Sequence, residues 1–416
     1  MKIAILTLGT RGDIQPYAVL GHALKQRGHQ VTLATAKNFS SMVRLYELDF
    51  MPIEADFQAI LDSEEGKKMM KGNPFAIRRN LNSWVYPLIE DSLNTFYKLA
   101  RESDAVLYHV KTLSDCFADQ FPQKMMRTSV LPIVEPTSAF ANPALSGLPI
   151  PRFLNRMSYK LANQSMKLLS KPIGNFRKAN GLPIKFSTPP VEDLYGISPV
   201  LLPVPQDFKD PNAFQGFWFG EEKEGLSESL QEFLDAGDPP LLLTFGSMPF
   251  KGKFDLEDAV LHLVQKYHVR ILVVKGWGLR NVEKLEKDPG IFVVQAEPFS
   301  LLFPQVRAII HHGGIGTTAA CLRAGKPFWI CPILYPVGDQ LFWGLQSYKI
   351  GVALKPVPLS KMDLNRFLEK VGALLSHKEL YLKASAVKEL IDQENGLQAA
   401  IEKIEAFFSK IVRHKV

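Results

Sequence analysis

Short, uniformly apolar runs recur along this chain in two sets, each interleaved with helical patterns, and that rhythm leaves few folds open. In the first set KIAIL (2–6) reads as a buried strand and QVTLAT (30–35) as a β-branched one. DAVLYH (104–109) and RTSVLP (127–132) are further strands. Runs that are apolar throughout, rather than alternating, belong to parallel sheets covered on both faces. Between the first two, Tyr17, Leu20 and Leu24 share one face of a helix predicted over Pro16–Arg27, and Gly28 stands where a helix-ending glycine would. The second set comprises PLLLTFGS (240–247), VRILVVKG (269–276), IFVVQA (291–296), RAIIHH (307–312) and PFWICP (327–332). The stretch Pro132–Pro211 is Pro-rich and poorly periodic, and we read it as loops, short helices and a linker; Gln393–Val416 reads as helix.

At 416 residues the chain exceeds what one core usually organises. The two sets predict an α/β fold of two Rossmann-like domains, with a ligand in the crevice at the carboxyl ends of the strands. We place the first domain at 1–206, the second at 207–395, and a final helix, 396–416, packing back on the first domain.

Bulk properties exclude more than they select. The formal charge is +7, compatible with anionic partners, but no zinc-finger spacing, RNA-binding signature or Arg-rich tract points to nucleic acid. The three cysteines, Cys116, Cys321 and Cys331, form no C-x-x-C pair, which fits a reducing cytoplasm. No secretory signal and no run of about 18–20 apolar residues is visible. The tract EEGKKMMKGNPFAIRRNL (64–81) mixes basic residues with Met69, Met70 and Phe75. It is compatible with peripheral contact to an anionic membrane, or with a plain solvated loop.

The first strand feeds LGTRGDIQP (8–16). A dinucleotide-binding turn would be G-x-G-x-x-G; here Gly9 and Gly12 are followed by Asp13. A carboxylate at a helix entrance competes with phosphate for the same N–H groups. By itself, Asp13 reads as a helix cap ahead of Pro16. The second glycine turn is different. HHGGIGTT (311–318) leaves a strand through Gly313, Gly314 and Gly316, and Thr317 and Thr318 are expected to cap the next helix. That would aim N–H groups, hydroxyls and a positive dipole end at a diphosphate. No Lys follows the glycines, so it is not a Walker A loop, and no metal-ligand set is evident.

GTRGDIQP (9–16), FGSM (245–248), KGWG (275–278), HHGGIGTT (311–318), AGKP (324–327) and GDQLFW (338–343) occur in this order. The series closely resembles the UDP-glycosyltransferase superfamily, nearest its sterol glucosyltransferase and bacterial antibiotic or macrolide branches, and it covers essentially the whole chain. The resemblance implies the GT-B fold and an inverting, metal-independent transfer of a hexose, glucose first, from a UDP-sugar to a hydroxyl of an apolar small molecule. A sterol, polyketide, flavonoid or lipid would serve as acceptor. The nucleotide-sugar is a co-substrate, and no cofactor is implied.

Carried over residue by residue, the resemblance makes His311 a phosphate contact and assigns backbone and hydroxyl donors to Gly313, Gly314, Gly316, Thr317 and Thr318. Ser247 would face the phosphate from across the crevice. Asp339 and Gln340 would hold hydroxyls of the donor sugar. Pro298 and Phe299 would flank the base. Plant members stack a Trp on uracil where this chain has Ala296, so Trp277 becomes the stacking candidate. Their ribose-clasping Glu falls on Ala319. Both departures loosen UDP relative to dTDP. Many members place the acceptor-deprotonating His three residues before the proline of the first turn; that position here is Asp13, and Asp also occurs there. His109 falls where the partner of that base lies, so the pair would be present with identities exchanged. A structural strand-end His is the alternative for His109. Trp84, Phe140 and Phe153 are candidate acceptor-pocket walls. The rival readings are a nucleotide-sugar epimerase, a dTDP-sugar enzyme, and a homologue that binds nucleotide-sugar without a working base.

Overall fold

Met1–Leu6 runs through the middle of a sheet, and Ala4, Ile5 and Leu6 have no exposed surface. In the computed structural model, residues 1–54, 85–187, 189–222, 224–246, 253–275 and 282–413 are described. The first half contains β1 (Lys2–Leu6), α1 (Arg11–Gln26), β2 (Gln30–Ala36), α2 (Ser40–Leu45) and β3 (Asp49–Ile53). It continues through α3 (Tyr86–Glu102), β4 (Ala105–His109), β5 (Met125–Ser129), α4 (Asn155–Gln164), α5 (Ser170–Ala179) and β6 (Glu192–Tyr195). The second half runs α6 (Glu228–Asp235), β7 (Leu241–Thr244), α7 (Leu256–Tyr267), β8 (Ile271–Val274), β9 (Ile291–Val294), α8 (Phe299–Leu302) and β10 (Ala308–His311). It ends with α9 (Ile315–Ala324), β11 (Phe328–Ile330), α10 (Gln340–Lys349), β12 (Ala353–Leu354), α11 (Leu364–Ser376), α12 (Lys378–Asp392) and α13 (Gly396–Arg413).

Among the described residues there are two six-stranded sheets, ordered β3-β2-β1-β4-β5-β6 and β12-β11-β10-β7-β8-β9, and their strand pairs are parallel. In each, the order reverses beside the domain's first strand, at β1/β4 and β7/β10. That is where the carboxyl ends of two neighbouring strands open a crevice. The two Rossmann-like domains expected from the apolar runs are present.

The boundaries differ in instructive ways. Helix α1 starts at Arg11 rather than Pro16, so Pro16 lies inside it; only the bond that its missing N–H would make to the preceding turn is lost. Strand β5 begins two residues before RTSVLP. Three strands were not anticipated. β3 carries Asp49 and Pro52 and is half-buried at the sheet edge. β12 is two residues long. β6 (EDLY) lies in the stretch read as loops and linker, and its acidic start masks the strand pattern.

Helix α13 returns to the first half. Ala400, Ile401, Ile404 and Phe408 join a core cluster with Ile3, Ile5, Leu20, Leu24 and Trp218. Glu405 accepts from Arg27 at 2.9 Å and lies 3.2 Å from the His29 ring. No described helix is long and apolar enough to cross a membrane.

Candidate active site

The loop after β1 and the start of α1 form one built unit. Asp13 Oδ2 accepts from the Thr10 backbone N–H at 3.0 Å and from the Thr10 hydroxyl at 3.2 Å. Asp13 is thus the third residue of α1 and closes a capping box on Thr10. Gly9, at φ +140°, makes room for it: a Cβ there would lie 2.3 Å from Asp13 Oδ2. The other carboxylate oxygen accepts from Lys111 Nζ at 2.5 Å. Lys111 stands just past β4, at the carboxyl end of a central strand. Sequence reasoning missed it; its place two residues beyond a strand end was the available signal.

Burial alone would raise the Asp13 carboxyl. The Lys111 ammonium, the nearby His109 and the hydrogen bonds from Lys111 and Thr10 outweigh it, and the net result lies below the usual 3.8. Asp13 is therefore an anion at neutral pH. His109 is fully buried, and burial pushes it down to about 3, so it is neutral. Its Nδ1 lies 3.4 Å from the Thr7 hydroxyl, its ring packs on Tyr17 at 5.2 Å, and its Nε2 has no hydrogen-bond partner. His109 and Asp13 feel each other's charge, and the side chain that donates a hydrogen bond to Asp13 from this strand end is Lys111.

Across the crevice, β10 ends at His311 and α9 begins after Gly314. Gly313, at φ +100°, takes a conformation other residues rarely adopt, and a Cβ there would sit 2.6 Å from Ile330 Cγ2. The α9 N-terminus starts on Gly314 with no side chain capping it. Thr317 and Thr318 are the third and fourth helical residues rather than caps, and the Thr318 hydroxyl donates back to Gly314 O at 3.0 Å. That single hydrogen is thereby committed inside the helix. His311 is buried, with Nδ1 accepting from the Gly313 N–H at 3.2 Å and Nε2 without a partner. Burial, then His312, push its pKa well below the usual value. The His312 ring sits between the loop after β7 and the α9 turn, 2.9 Å from where a Cβ on Gly246 would lie and 2.8 Å from one on Gly314. Burial brings it to about 4.

The two turns face one another: a Cβ on Gly316 would lie 3.5 Å from Gly12 Cα. The second domain also contributes Asp339. Burial raises its carboxyl, opposed by Lys111. Lys111 in turn is lowered by burial, but Asp13 and Asp339 leave it above its usual value. Asp13, Lys111 and Asp339 thus form an alternating charge row across the domain boundary. The Trp343 indole N–H donates to Asp339 Oδ2 at 3.1 Å. The loop before Asp339 is clipped to the first domain through Gly338 N–H to Ala144 O at 2.8 Å and Ser146 Oγ to Gly338 O at 3.2 Å. Gln340 is turned inward; its oxygen accepts from the Ile333 and Leu334 N–H groups at 2.8 and 2.9 Å. It pins the loop, and only its amide nitrogen is left for a ligand.

Pro298 precedes α8 at the carboxyl end of β9, and Phe299 stacks on Phe303 with centroids 4.4 Å apart. Ala296 is exposed, whereas Ala319 is buried in the core. Phe140 packs on Phe342 of the other domain at 5.2 Å. Phe153 is 84% exposed. Ser247, Trp277, Trp84 and the tract 64–81 lie outside the described residues. Among the described residues no group of three or more His, Cys, Asp or Glu could hold a metal ion. A cavity of about 420 Å³ lies away from the crevice, lined by Arg27, Phe219, Arg323 and Glu394 among others, and shares no residue with it.

Comparison with known proteins follows the same lines. Residues 3–111 match the family model for the glycosyltransferase family 28 N-terminal domain. The chain is 28% identical over 437 residues to a sterol 3-beta-glucosyltransferase of Arabidopsis thaliana, taking in 99% of this chain and 66% of that protein. It is 27% identical over 424 residues to the O-mycaminosyltylonolide 6-deoxyallosyltransferase of Streptomyces fradiae, covering 97% of each. It spans about two thirds of the length of the plant sterol relatives and 30% of the one from Emericella nidulans. Among solved structures, the glycosyltransferase VinC in complex with dTDP superposes with a TM-score of 0.69, at 17% identity, over 99% of this chain and 100% of that one. That likeness is one of fold.

Proposed function

From a chain that is a GT-B homologue of sterol and macrolide glycosyltransferases, we infer an inverting glycosyltransferase. It moves a hexose, glucose first, from a UDP-sugar to a hydroxyl of an apolar small molecule. The observation that carries this reading is the meeting of two unlike helix entrances: α1 brings an ionised carboxylate, and α9 brings an uncapped, electropositive end within reach of it.

In the proposed reaction the acceptor hydroxyl gives its proton to Asp13 as its oxygen bonds the anomeric carbon. The bond from that carbon to the diphosphate breaks, and the electron pair leaves with the phosphate oxygen. Developing charge there is met by the α9 N–H groups and helix dipole, with the His311 Nε2–H beneath. Asp339, held by Trp343, would accept from sugar hydroxyls. Lys111 orients the Asp13 carboxylate and keeps it ionised, so it is a positioning residue. Pro298 and Phe299 would border the nucleobase of the donor, and Ser247 and Trp277 remain candidates for the donor side.

Acceptors of the sterol or polyketide type are supported by the relatives that match along almost the whole chain. A dTDP-sugar is the second reading for the donor, favoured by the exposed Ala296 in place of a stacking ring. A panel of UDP- and dTDP-sugars with sterol, macrolide, flavonoid and lipid alcohols, read by mass spectrometry, tests both. Glycoside formed from UDP-glucose and a polycyclic alcohol, with inverted anomeric configuration, is the expected result. Nucleotide binding without any product across the panel would instead leave a binding homologue that lacks a working base.

A further inference from the structure

The outward face of α4 is unlike that of an ordinary surface helix. Its inner face is polar: Asn155 Nδ2 donates to Ser138 O at 2.8 Å, Ser158 Oγ accepts from the Asn142 N–H at 2.7 Å, and the Tyr159 hydroxyl reaches Pro132 O at 3.3 Å. Its exposed side carries an apolar stripe beside polar residues. Phe153, Met157 and Leu161, four residues apart, are 84%, 61% and 53% exposed, and Leu168 beyond the helix is 58% exposed. Large apolar side chains exposed in a row are uncommon on the surface of a soluble helix.

The charge is equally one-sided. Arg152, Arg156 and Lys160 precede those three apolar residues one for one, so a basic stripe runs beside the apolar stripe, and Lys167–Leu168 repeats the pair. From Pro136 to Val191 there are eight Lys and Arg and no Asp or Glu, a net +8 in a chain whose total is +7. Arg177 is buried against Asp119 and Arg156 has Asp207 at 3.8 Å, whereas Arg152, Lys160, Lys167, Lys178 and Lys185 are exposed.

We propose that this face of α4, with the segment that follows it, docks on a bilayer surface carrying anionic lipids. Apolar side chains would enter the boundary between headgroups and acyl chains, and the flanking cations would meet lipid phosphates and carboxylates. A second copy of this face is a poor occupant, because two such surfaces repel each other. The stripe begins shortly after Ser146, whose hydroxyl is clipped to Gly338 across the crevice, so docking would bring the crevice mouth near the lipid. That consequence for an apolar acceptor rests on the proposed function; the docking itself does not.

The test is sedimentation of the full chain with sucrose-loaded vesicles. We expect partitioning at least about ten-fold stronger onto phosphatidylcholine containing roughly a third phosphatidylserine than onto phosphatidylcholine alone, weakened in roughly 0.5 M salt. The triple variant Phe153→Ser/Met157→Ser/Leu161→Ser and the triple variant Arg152→Glu/Lys160→Glu/Lys167→Glu should each lose about ten-fold or more of that partitioning, with unchanged melting temperature and unchanged nucleotide affinity. Equal binding to both vesicle types, or full binding by either variant, overturns the proposal. So does a concentration-dependent dimer, seen by light scattering, that the serine variant abolishes. A chain that binds vesicles yet transfers no sugar would overturn the functional reading and leave this one standing.

Discussion

Two strand–glycine–helix turns face each other across the crevice, and they differ in what fills the helix entrance. At α1 the chain supplies its own anion: Asp13 satisfies Thr10 and is held by Lys111. At α9 the entrance is Gly314, with no side-chain cap and two neutral histidines packed beneath. A helix that carries its own carboxylate has no use for a phosphate, whereas one left uncapped beside glycines is a ready anion site. In the proposed function, similar backbone geometry is divided between proton acceptance on one side and diphosphate binding on the other.

The division is broken most directly at Asp13. Asp13→Asn keeps the shape and the oxygen for Thr10 but removes the base, and transfer should fall about 10²–10⁴-fold. Calorimetry should show nucleotide diphosphate binding within about two-fold of wild type, because the α9 turn is untouched. An undiminished rate would reduce the α1 turn to a capped helix. The two glycines sharpen the contrast. Gly9→Ala would place Cβ 2.3 Å from Asp13 Oδ2, and Gly313→Ala would place it 2.6 Å from Ile330 Cγ2. Each forces strain of about 1–3 kcal/mol onto its own turn. The first should cut kcat roughly ten-fold or more while sparing nucleotide affinity, and the second should do the reverse. Matching losses in both variants would mean that the turns do not have separate roles.

The fold was legible because the central strands are buried on both faces and so carry no alternation to obscure them: KIAIL, ILVV and AIIH read directly. Edge strands were not, since EDLY and DFMPI owe their pairing to a neighbour rather than to their own pattern. The start of α1 was misplaced because Pro16 was read as a beginning, although Thr10 and Asp13 already spell a capping box. At the site, residue types along one strand–turn–helix could be read, and so Asp13, His311 and Gly313 stood out. Lys111 could not, because its role is a contact over 98 residues of separation. Gln340 and Thr318 have the right chemistry for a ligand but spend it on backbone groups, which depends on side-chain direction and not on spacing.

Lys111 tests the first turn through its pH behaviour. With the ammonium present, the Asp13 carboxyl lies below 3.8, so the acidic limb of kcat/KM should fall below about pH 4. Tyr17, His109 and Asp339 also surround it, but none is cationic at neutral pH. In Lys111→Met burial, the nearby His109 and the Thr10 bonds remain, and the limb should move up by about 1–2 pH units. Lys111→Arg should restore it. A loss of rate at every pH, with the limb unmoved, would make Lys111 a packing residue.

The smallest effect separates the turns by their histidines. His109 titrates near 3 and His312 near 4 in the folded chain, against 6.5 when unfolded. Both are neutral in either state above pH 6.5, so stability is insensitive to them there. As pH falls below 6.5 the unfolded chain gains protons that the folded chain refuses, and each histidine removes up to about 1.4 kcal/mol per pH unit. Asp13 does not blur this window. Its folded value is depressed, so its contribution is intact above about pH 4 and is lost only as pH falls further. Urea unfolding at pH 7, 6 and 5 should therefore show a slope that His109→Gln and His312→Gln each lessen by about one proton's worth. If only one of them does so, the other imidazole is protonated in the folded chain. At His312 that would set a cation beneath the proposed diphosphate site, and the α9 turn would no longer rely on backbone and dipole alone.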